Sequence, residues 1–306
     1  MNKVKKNIFS FNEDVNTLLK TIIKSKSFAN GYIFSGAEGV GKKKAALQFI
    51  KEIFKQYTIK DRVEENINNH PDFLIIEPIS LLESKSSSEI IKIAQIRNIK
   101  NFLGQKSINS EKKIVLIINA HLLNEAASNC LLKTLEEPSN GIFILLTSKL
   151  NILLDTIISR CQMVRFRSLT AKQITSISKE YLDPLNYSIN RKLNVQDLIN
   201  SANGSPGQLL KNIEIWSELS DEITRKLDSP IKNSLEILEV SKLISEKLEV
   251  YQQIVLINLI QIIWWRKTKN INLLKKLEEL KFYLRKNIQP KLAWEITFLK
   301  ISMECV

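Results

Sequence analysis

The stretch GAEGVGKKKAA, residues 36–46, constrains the fold more than any other part of the chain. Gly36, Gly41 and Lys42 stand at the spacing G-x-x-x-x-G-K, with a short apolar run, GYIFSG (31–36), before them and a helical pattern from about Lys42 to Lys55 after them. A strand, a glycine loop and a helix in this order make a phosphate-binding loop, because backbone N–H groups and the positive end of the helix then face one point. Gly36, Gly39, Gly41, Lys42 and Lys43 are the candidate phosphate-binding residues, with Lys42 reaching the terminal phosphates. The position after Lys42 departs from a working nucleotide hydrolase. A Ser or Thr hydroxyl there would ligate magnesium, and Lys43 has none.

Around this loop the first half of the chain alternates helical and strand patterns. A helical pattern spans 13–27, and short apolar strands read at DFLIIEP (72–78), KKIVLIINA (112–120), GIFILLTS (141–148) and CQMVRFRSL (161–169). Helices read at IIKIAQIRNIKNFLG (90–104), stopped by Gly104, and at NEAASNCLLKTLEE (124–137), closed by Pro138, with a polar loop at 81–89. Continuous apolar strands separated by helices imply a parallel sheet covered on both faces, an α/β P-loop domain. From Thr170 the strand patterns vanish. NGSPGQLLKN (203–212) reads as a turn into a helix, and only helical patterns follow to Val306, broken at DSP (228–230) and NIQP (287–290). Boundaries near 168 and 210 divide the chain into a P-loop domain (1–168), a small helical lid (169–210) and an all-α C-terminal domain (211–306).

Charge and cysteine usage narrow the setting. Lys and Arg outnumber Asp and Glu by 45 to 32, a net charge of +13. That balance favours a polyanionic partner, nucleic acid foremost, or else reflects an Ile/Lys/Asn-rich composition that scatters Lys over solvated faces. Cys130, Cys161 and Cys305 are far apart and form no C-x-x-C pair, so neither a disulfide framework nor a cysteine zinc site is expected, and a reducing, cytoplasmic setting fits. The basic N-terminus lacks the apolar core of a signal peptide. The most apolar run, 254–265, is too short to span a bilayer and is cut by Asn258 and Gln261, so no membrane is expected.

The metal chemistry is missing twice over. A P-loop hydrolase ends a second apolar strand in an acid on magnesium, usually followed by a Glu that activates water. Here IVLIINAHLLN ends in Asn119, Ala120 and His121. His121 reads either as a base or, as is commoner for a lone histidine at a strand end, as a structural residue. Without the hydroxyl and both carboxylates, the chain is expected to hold no catalytic metal and not to hydrolyse ATP.

The segment NAHLLNEAASNCLLKTLEEPSNGIFILLTSKLNILLDTIISRCQMVRF resembles the core signature of bacterial clamp-loader AAA+ subunits. The elements that carry the resemblance are LLKTLEEP (131–138), Thr147 with Ser148, and Ser159-Arg160-Cys161; NHPDF (69–73), IRNIKNFL (96–103) and GSPGQLL (204–210) are similar to further family segments. Two kinds of subunit share the signature. One keeps the loop hydroxyl and the strand acids and is an ATPase; the other commonly loses them while keeping S-R-C, and this chain has the second profile. The resemblance implies that Arg160 is an arginine finger in trans, positioned or capped by Ser159. It also implies that Thr147 occupies the position that senses γ-phosphate in active relatives, although with no metal acids beside it a structural role fits equally; Cys161 reads as packing, since nothing marks it as a nucleophile. It further implies membership in a DNA-directed DNA polymerase (nucleotidyltransferase) holoenzyme without intrinsic ATPase activity. The implied partners are gamma/tau ATPase and delta subunits, a sliding clamp and primed DNA.

The sequence departs from the family pattern in three places. The segment before NHPDF has no cysteine, so no zinc module is expected, and Gln208 stands where many relatives have a nucleotide-reading arginine. Residues 211–306 match no motif; in the family they would form a helical collar for oligomerisation, and Trp264 and Trp265 suit an interface or a core equally. No cofactor is required on this reading, although residual ATP or ADP binding stays open. Two further readings also stay open: a vestigial AAA+ scaffold binding DNA through its basic surface, with Arg97 a candidate contact, or an atypical ATP-hydrolysing subunit.

Overall fold

The computed structural model describes residues 12–57, 67–80, 89–137, 141–182 and 195–304, and the chain divides into two compact units between Leu169 and Thr170. In the first unit, β1 (Gly31–Ser35), β2 (Phe73–Ile76), β5 (Lys113–Ile117), β6 (Gly141–Thr147) and β7 (Gln162–Arg165) form one sheet in the order β2-β5-β6-β1-β7. Every pair in it is parallel. Helices α1 (Glu13–Ser25), α2 (Lys42–Tyr57), α3 (Ile93–Gly104), α4 (Glu125–Glu136) and the single turn α5 (Asp155–Ile158) connect or flank the strands.

The continuous apolar strands divide by the two-residue period of a pleated strand. Tyr32, Phe34, Ile114, Leu116, Ile142, Ile144 and Leu146 face one way, into a core with Leu19 of α1 and Phe49 and Ile50 of α2. Ile33, Val115, Ile117, Phe143 and Leu145 face the other way, onto Ile96 of α3 and Leu131 of α4. Burial on both faces explains why these strands carry no alternation in sequence. A two-residue antiparallel ladder, β3 (Ile79–Ser80) with β4 (Glu89–Ile90), flanks residues 81–88; the polar loop read there lies outside the described residues, as does Pro138.

One buried carboxylate holds the edge of this unit together. Asp72, fully buried just before β2, accepts hydrogen bonds from the backbone N–H groups of Ile108, Asn109 and Ser110 at 2.9, 2.7 and 2.9 Å. Its own N–H donates to His70 Nδ1, and the His70 ring stacks on Phe54 at 3.9 Å. NHPDF therefore joins the end of α2 to the turn that launches β5, a structural task.

The second unit, as described, is all helical: α6 (Ala171–Leu182), α7 (Val195–Ser201), α8 (Pro206–Glu218), α9 (Asp221–Lys226), α10 (Ser234–Lys247), α11 (Val250–Thr268), α12 (Ile271–Arg285) and α13 (Pro290–Glu304). The start of α8 follows from NGSPG: Asn203 and Gly204 take positive φ, the Ser205 hydroxyl accepts from Gln208 N–H at 3.1 Å, and Pro206 opens the helix. NIQP works likewise, with Asn287 left-handed and Pro290 the first residue of α13. Trp264 and Trp294 are fully buried around Phe298, and their indole N–H groups donate to Leu227 O and Gln253 Oε1, each at 2.8 Å. Trp264 is thus core of this unit, while Trp265 is exposed. Among the described residues no helix is long and apolar enough to cross a membrane.

Removing the Asp72 carboxylate leaves three backbone donors without their acceptor, at least one of them deeply buried. Asp72→Ala is expected to lower unfolding free energy by about 3 kcal/mol in urea titration, whereas truncation of the exposed Glu89 changes it by less than about 0.5 kcal/mol.

Candidate functional site

The two groups of sequence candidates lie at opposite edges of the sheet. At the carboxyl edge, β1 runs into the glycine loop, and Gly36 N–H donates to Thr147 O at 3.2 Å, joining the loop to the end of β6. Gly36 has φ 153, and a Cβ there would lie 2.3 Å from Phe166 O, so only glycine fits between β1 and the chain leaving β7. Gly39 and Gly41 also take positive φ, at 75 and 96, and α2 begins at Lys42. The loop has the shape of its motif.

Its charges are engaged internally. Lys42 Nζ donates to Gly36 O at 2.5 Å and Ala37 O at 2.6 Å. Burial lowers its pKa to about 8, against a smaller opposing pull from Glu38. Lys43 pairs with Glu77 beyond the end of β2 at 2.9 Å, with both side chains about half exposed. The residue standing where a metal-ligating hydroxyl belongs therefore makes a surface ion pair, of a kind worth at most about 1 kcal/mol.

The strand meant to carry the acids, read over 112–120, ends at Ile117, before Asn119 and Ala120. Asn119 is left-handed at φ 53, and Ala120–Leu122 form a 3-10 turn. His121 Nδ1 lies 3.4 Å from Thr147 Oγ1, which accepts from Lys149 N–H at 3.1 Å. Burial lowers the His121 pKa, and the neighbouring Lys149 and Lys42 lower it further, against Glu38. His121, Thr147 and Lys42 thus converge at this edge, beside the Asn119 and Ala120 that stand where a working site has carboxylates. Among the described residues no group of three or more His, Cys, Asp or Glu could hold a metal ion.

Arg160 sits at the other edge. Cys161 immediately precedes β7, whose Gln162 pairs with Tyr32 near the start of β1. The approach is close: a Cβ on Gly31 would meet Cys161 Sγ at 2.6 Å. Because β1 and β7 are parallel, Arg160 lies beside the amino end of β1, while the loop leaves the carboxyl end. Five strand residues separate the two, roughly 16 Å of sheet. Arg160 Nη2 pairs with Glu136 Oε1 at 2.6 Å, and Nη1 donates to Thr156 O at 3.0 Å, a carbonyl that also accepts from Ser159 Oγ at 3.1 Å. Burial raises the Cys161 thiol to about 11, which suits packing and not nucleophilic chemistry.

Two candidates remain. Arg97 is on the exposed face of α3. Gln208 Nε2 donates to Asn212 Oδ1 at 2.8 Å within α8, and Asn212 in turn donates to Ser201 Oγ at 2.7 Å. Sequence reading missed Glu77 and Glu136 as partners. Glu136 had one legible signal: with Glu137 it puts two acids at the carboxyl end of α4, against the helix dipole.

A five-stranded parallel sheet of this order, with the glycine loop after β1 and helices on both faces, defines a P-loop domain of AAA+ type, followed by an all-α region. The chain belongs to the DNA polymerase III delta-subunit family of clamp-loader proteins: the model described as "DNA polymerase III, delta subunit" matches residues 11–170. A second model, "Cyanobacterial DNA polymerase III delta prime, C-terminal domain", matches residues 179–301. The DNA polymerase III subunit delta-prime of Bacillus subtilis (strain 168) is 34% identical over 165 residues, covering 51% of this chain and 48% of that protein. That of Pseudomonas aeruginosa is 31% identical over 142 residues, covering 44% and 42%. Both matches thus span less than half of the relatives' own length. A solved DNA polymerase III gamma-subunit-related protein of Thermotoga maritima superposes with a TM-score of 0.57 at 18% identity, covering 95% of this chain and 99% of that one, and shares the fold.

The lowered Lys42 pKa carries a sign. The unfolded chain holds this proton up to about 10.5, whereas the folded chain releases it near 8. The unfolded state therefore binds more protons between those values, and stability rises with pH across that window. In Lys42→Met this contribution is absent, so wild type is expected to gain stability relative to the variant from pH 8 to 10.5, with a constant difference below pH 7, as measured by denaturant unfolding.

Proposed function

We propose that the chain is a non-hydrolysing, delta-prime-type subunit of a DNA polymerase III clamp loader that supplies Arg160 to the ATP site of a neighbouring ATPase subunit. The observation that carries this reading is the placement of Arg160 on the edge of the sheet away from its own phosphate loop. About 16 Å of sheet separates them, so the guanidinium cannot serve a nucleotide in the same chain, yet it is 40% exposed and available to another. A guanidinium delivered in trans stabilises the charge that develops on the γ-phosphate oxygens.

The phosphate loop supports the other half of the proposal. Lys43, Asn119 and Ala120 offer neither a metal-ligating hydroxyl nor a carboxylate, and His121 is held against Thr147 with a lowered pKa. Nothing in this set ligates magnesium or activates water, so the scaffold serves assembly and not turnover. Within the assembly, gamma/tau and delta subunits, the sliding clamp and primed DNA are the proposed partners, and the excess of 13 positive charges favours the last.

The test is a reconstitution with the cognate ATPase subunit, assayed for ATP turnover with clamp and primed DNA. Arg160→Ala is expected to leave assembly intact and to lower the partner's kcat by at least about ten-fold, and up to about 10³-fold. The purified chain alone is expected to show no magnesium-dependent ATP turnover. An unchanged rate with Arg160→Ala would exclude the finger role.

A further inference from the structure

The Arg160 guanidinium is held from two elements at once. Glu136, the last residue of α4, takes Nη2 at 2.6 Å, and the Thr156 carbonyl of α5 takes Nη1 at 3.0 Å. Both side chains of the ion pair are substantially exposed, 40% for Arg160 and 46% for Glu136, so the pair adds little to stability. Its effect is geometric. An arginine side chain loses about 2 kcal/mol of rotamer entropy when it is fixed, and a guanidinium already anchored at two points has lost much of it before any ligand arrives. Among the described residues two of its five N–H groups are taken, by these acceptors, which leaves three for a phosphate.

The neighbouring acid makes a contrast within the same motif. Glu137 pairs with Lys100 of α3 at 2.8 Å, which ties the end of α4 to the adjacent helix. Of the two consecutive acids, one anchors the helix end and the other reaches the arginine. Both sit where the helix dipole disfavours negative charge, so each depends on its cation.

We propose that Glu136 is a positioning residue for Arg160: it holds the guanidinium plane in the orientation from which the remaining N–H groups meet a neighbouring subunit's triphosphate. The proposal rests on the finger role of Arg160 given above. Glu136 touches no nucleotide itself and acts only through the arginine.

The experiment is a double-mutant cycle in the reconstituted complex, using ATP as substrate. Glu136→Ala is expected to lower the partner's kcat by about two- to five-fold while leaving KM for ATP and subunit assembly unchanged, and Glu136→Asp is expected to recover part of the loss. In an Arg160→Ala background, Glu136→Ala is expected to have no further effect. Glu137→Ala, which removes only the pair with Lys100, is expected to leave kcat unchanged. If Arg160→Ala lowers kcat but Glu136→Ala does not, or lowers it equally with and without Arg160, the positioning role is overturned and the finger role stands. If Arg160→Ala itself has no effect, the finger role fails first.

Discussion

The parallel register of β1 with its neighbours is the constraint on which the rest of the first unit depends. β6 pairs with β1 from Gly31–Phe143 to Ser35–Thr147, and β7 pairs from Tyr32–Gln162 to Ser35–Arg165. This register brings the Gly36 loop beside Thr147 and Phe166 at one end, and Cys161 beside Gly31 at the other. A parallel ladder cannot slip by one residue without exchanging the Tyr32/Phe34 face for the Ile33 face, and both faces are packed against helices. The separation between the loop and Arg160 is therefore set by the core.

The carboxyl edge has the frame of a phosphate loop without the residue types that would ligate a metal. The glycines and the strand-to-helix geometry remain because the fold needs them; Gly36 has no room for a side chain against Phe166 O. Of the positions that would serve a metal, Ala120 is buried in the core, whereas Lys43 and Asn119 are not. Lys43 is exposed and satisfied by Glu77, and Asn119 only has to turn the chain, which its left-handed conformation does.

Much of this was legible in sequence. The continuous apolar runs identified strands buried on both faces, the glycine loop identified the class of fold, and LLKTLEEP with Ser159-Arg160-Cys161 identified the family. Caps were readable too: NGSPG and NIQP produced the helix starts at Pro206 and Pro290. Other contacts were hidden because they join residues far apart in the chain. Asp72 reaches Ile108–Ser110, Lys43 reaches Glu77, and Trp264 reaches Leu227, pairings that no local pattern encodes. Arg160 meets Glu136 with all of β6 and α5 between them in the chain, so the role of the first acid in the motif could not be read from spacing alone.

By itself the sequence determined the P-loop class of the first unit, the helical character of the second and the absence of hydroxyl and carboxylate at the metal positions. Each of these is a property of residue type and local order. The tertiary structure alone decided that Arg160 and the phosphate loop stand at opposite ends of β1, and that Glu136 and Thr156 share the guanidinium. The reason is that strand order and direction are global quantities: β7, last in sequence, lies beside β1, the first, and only that parallel pairing says which end of β1 its first residue will meet.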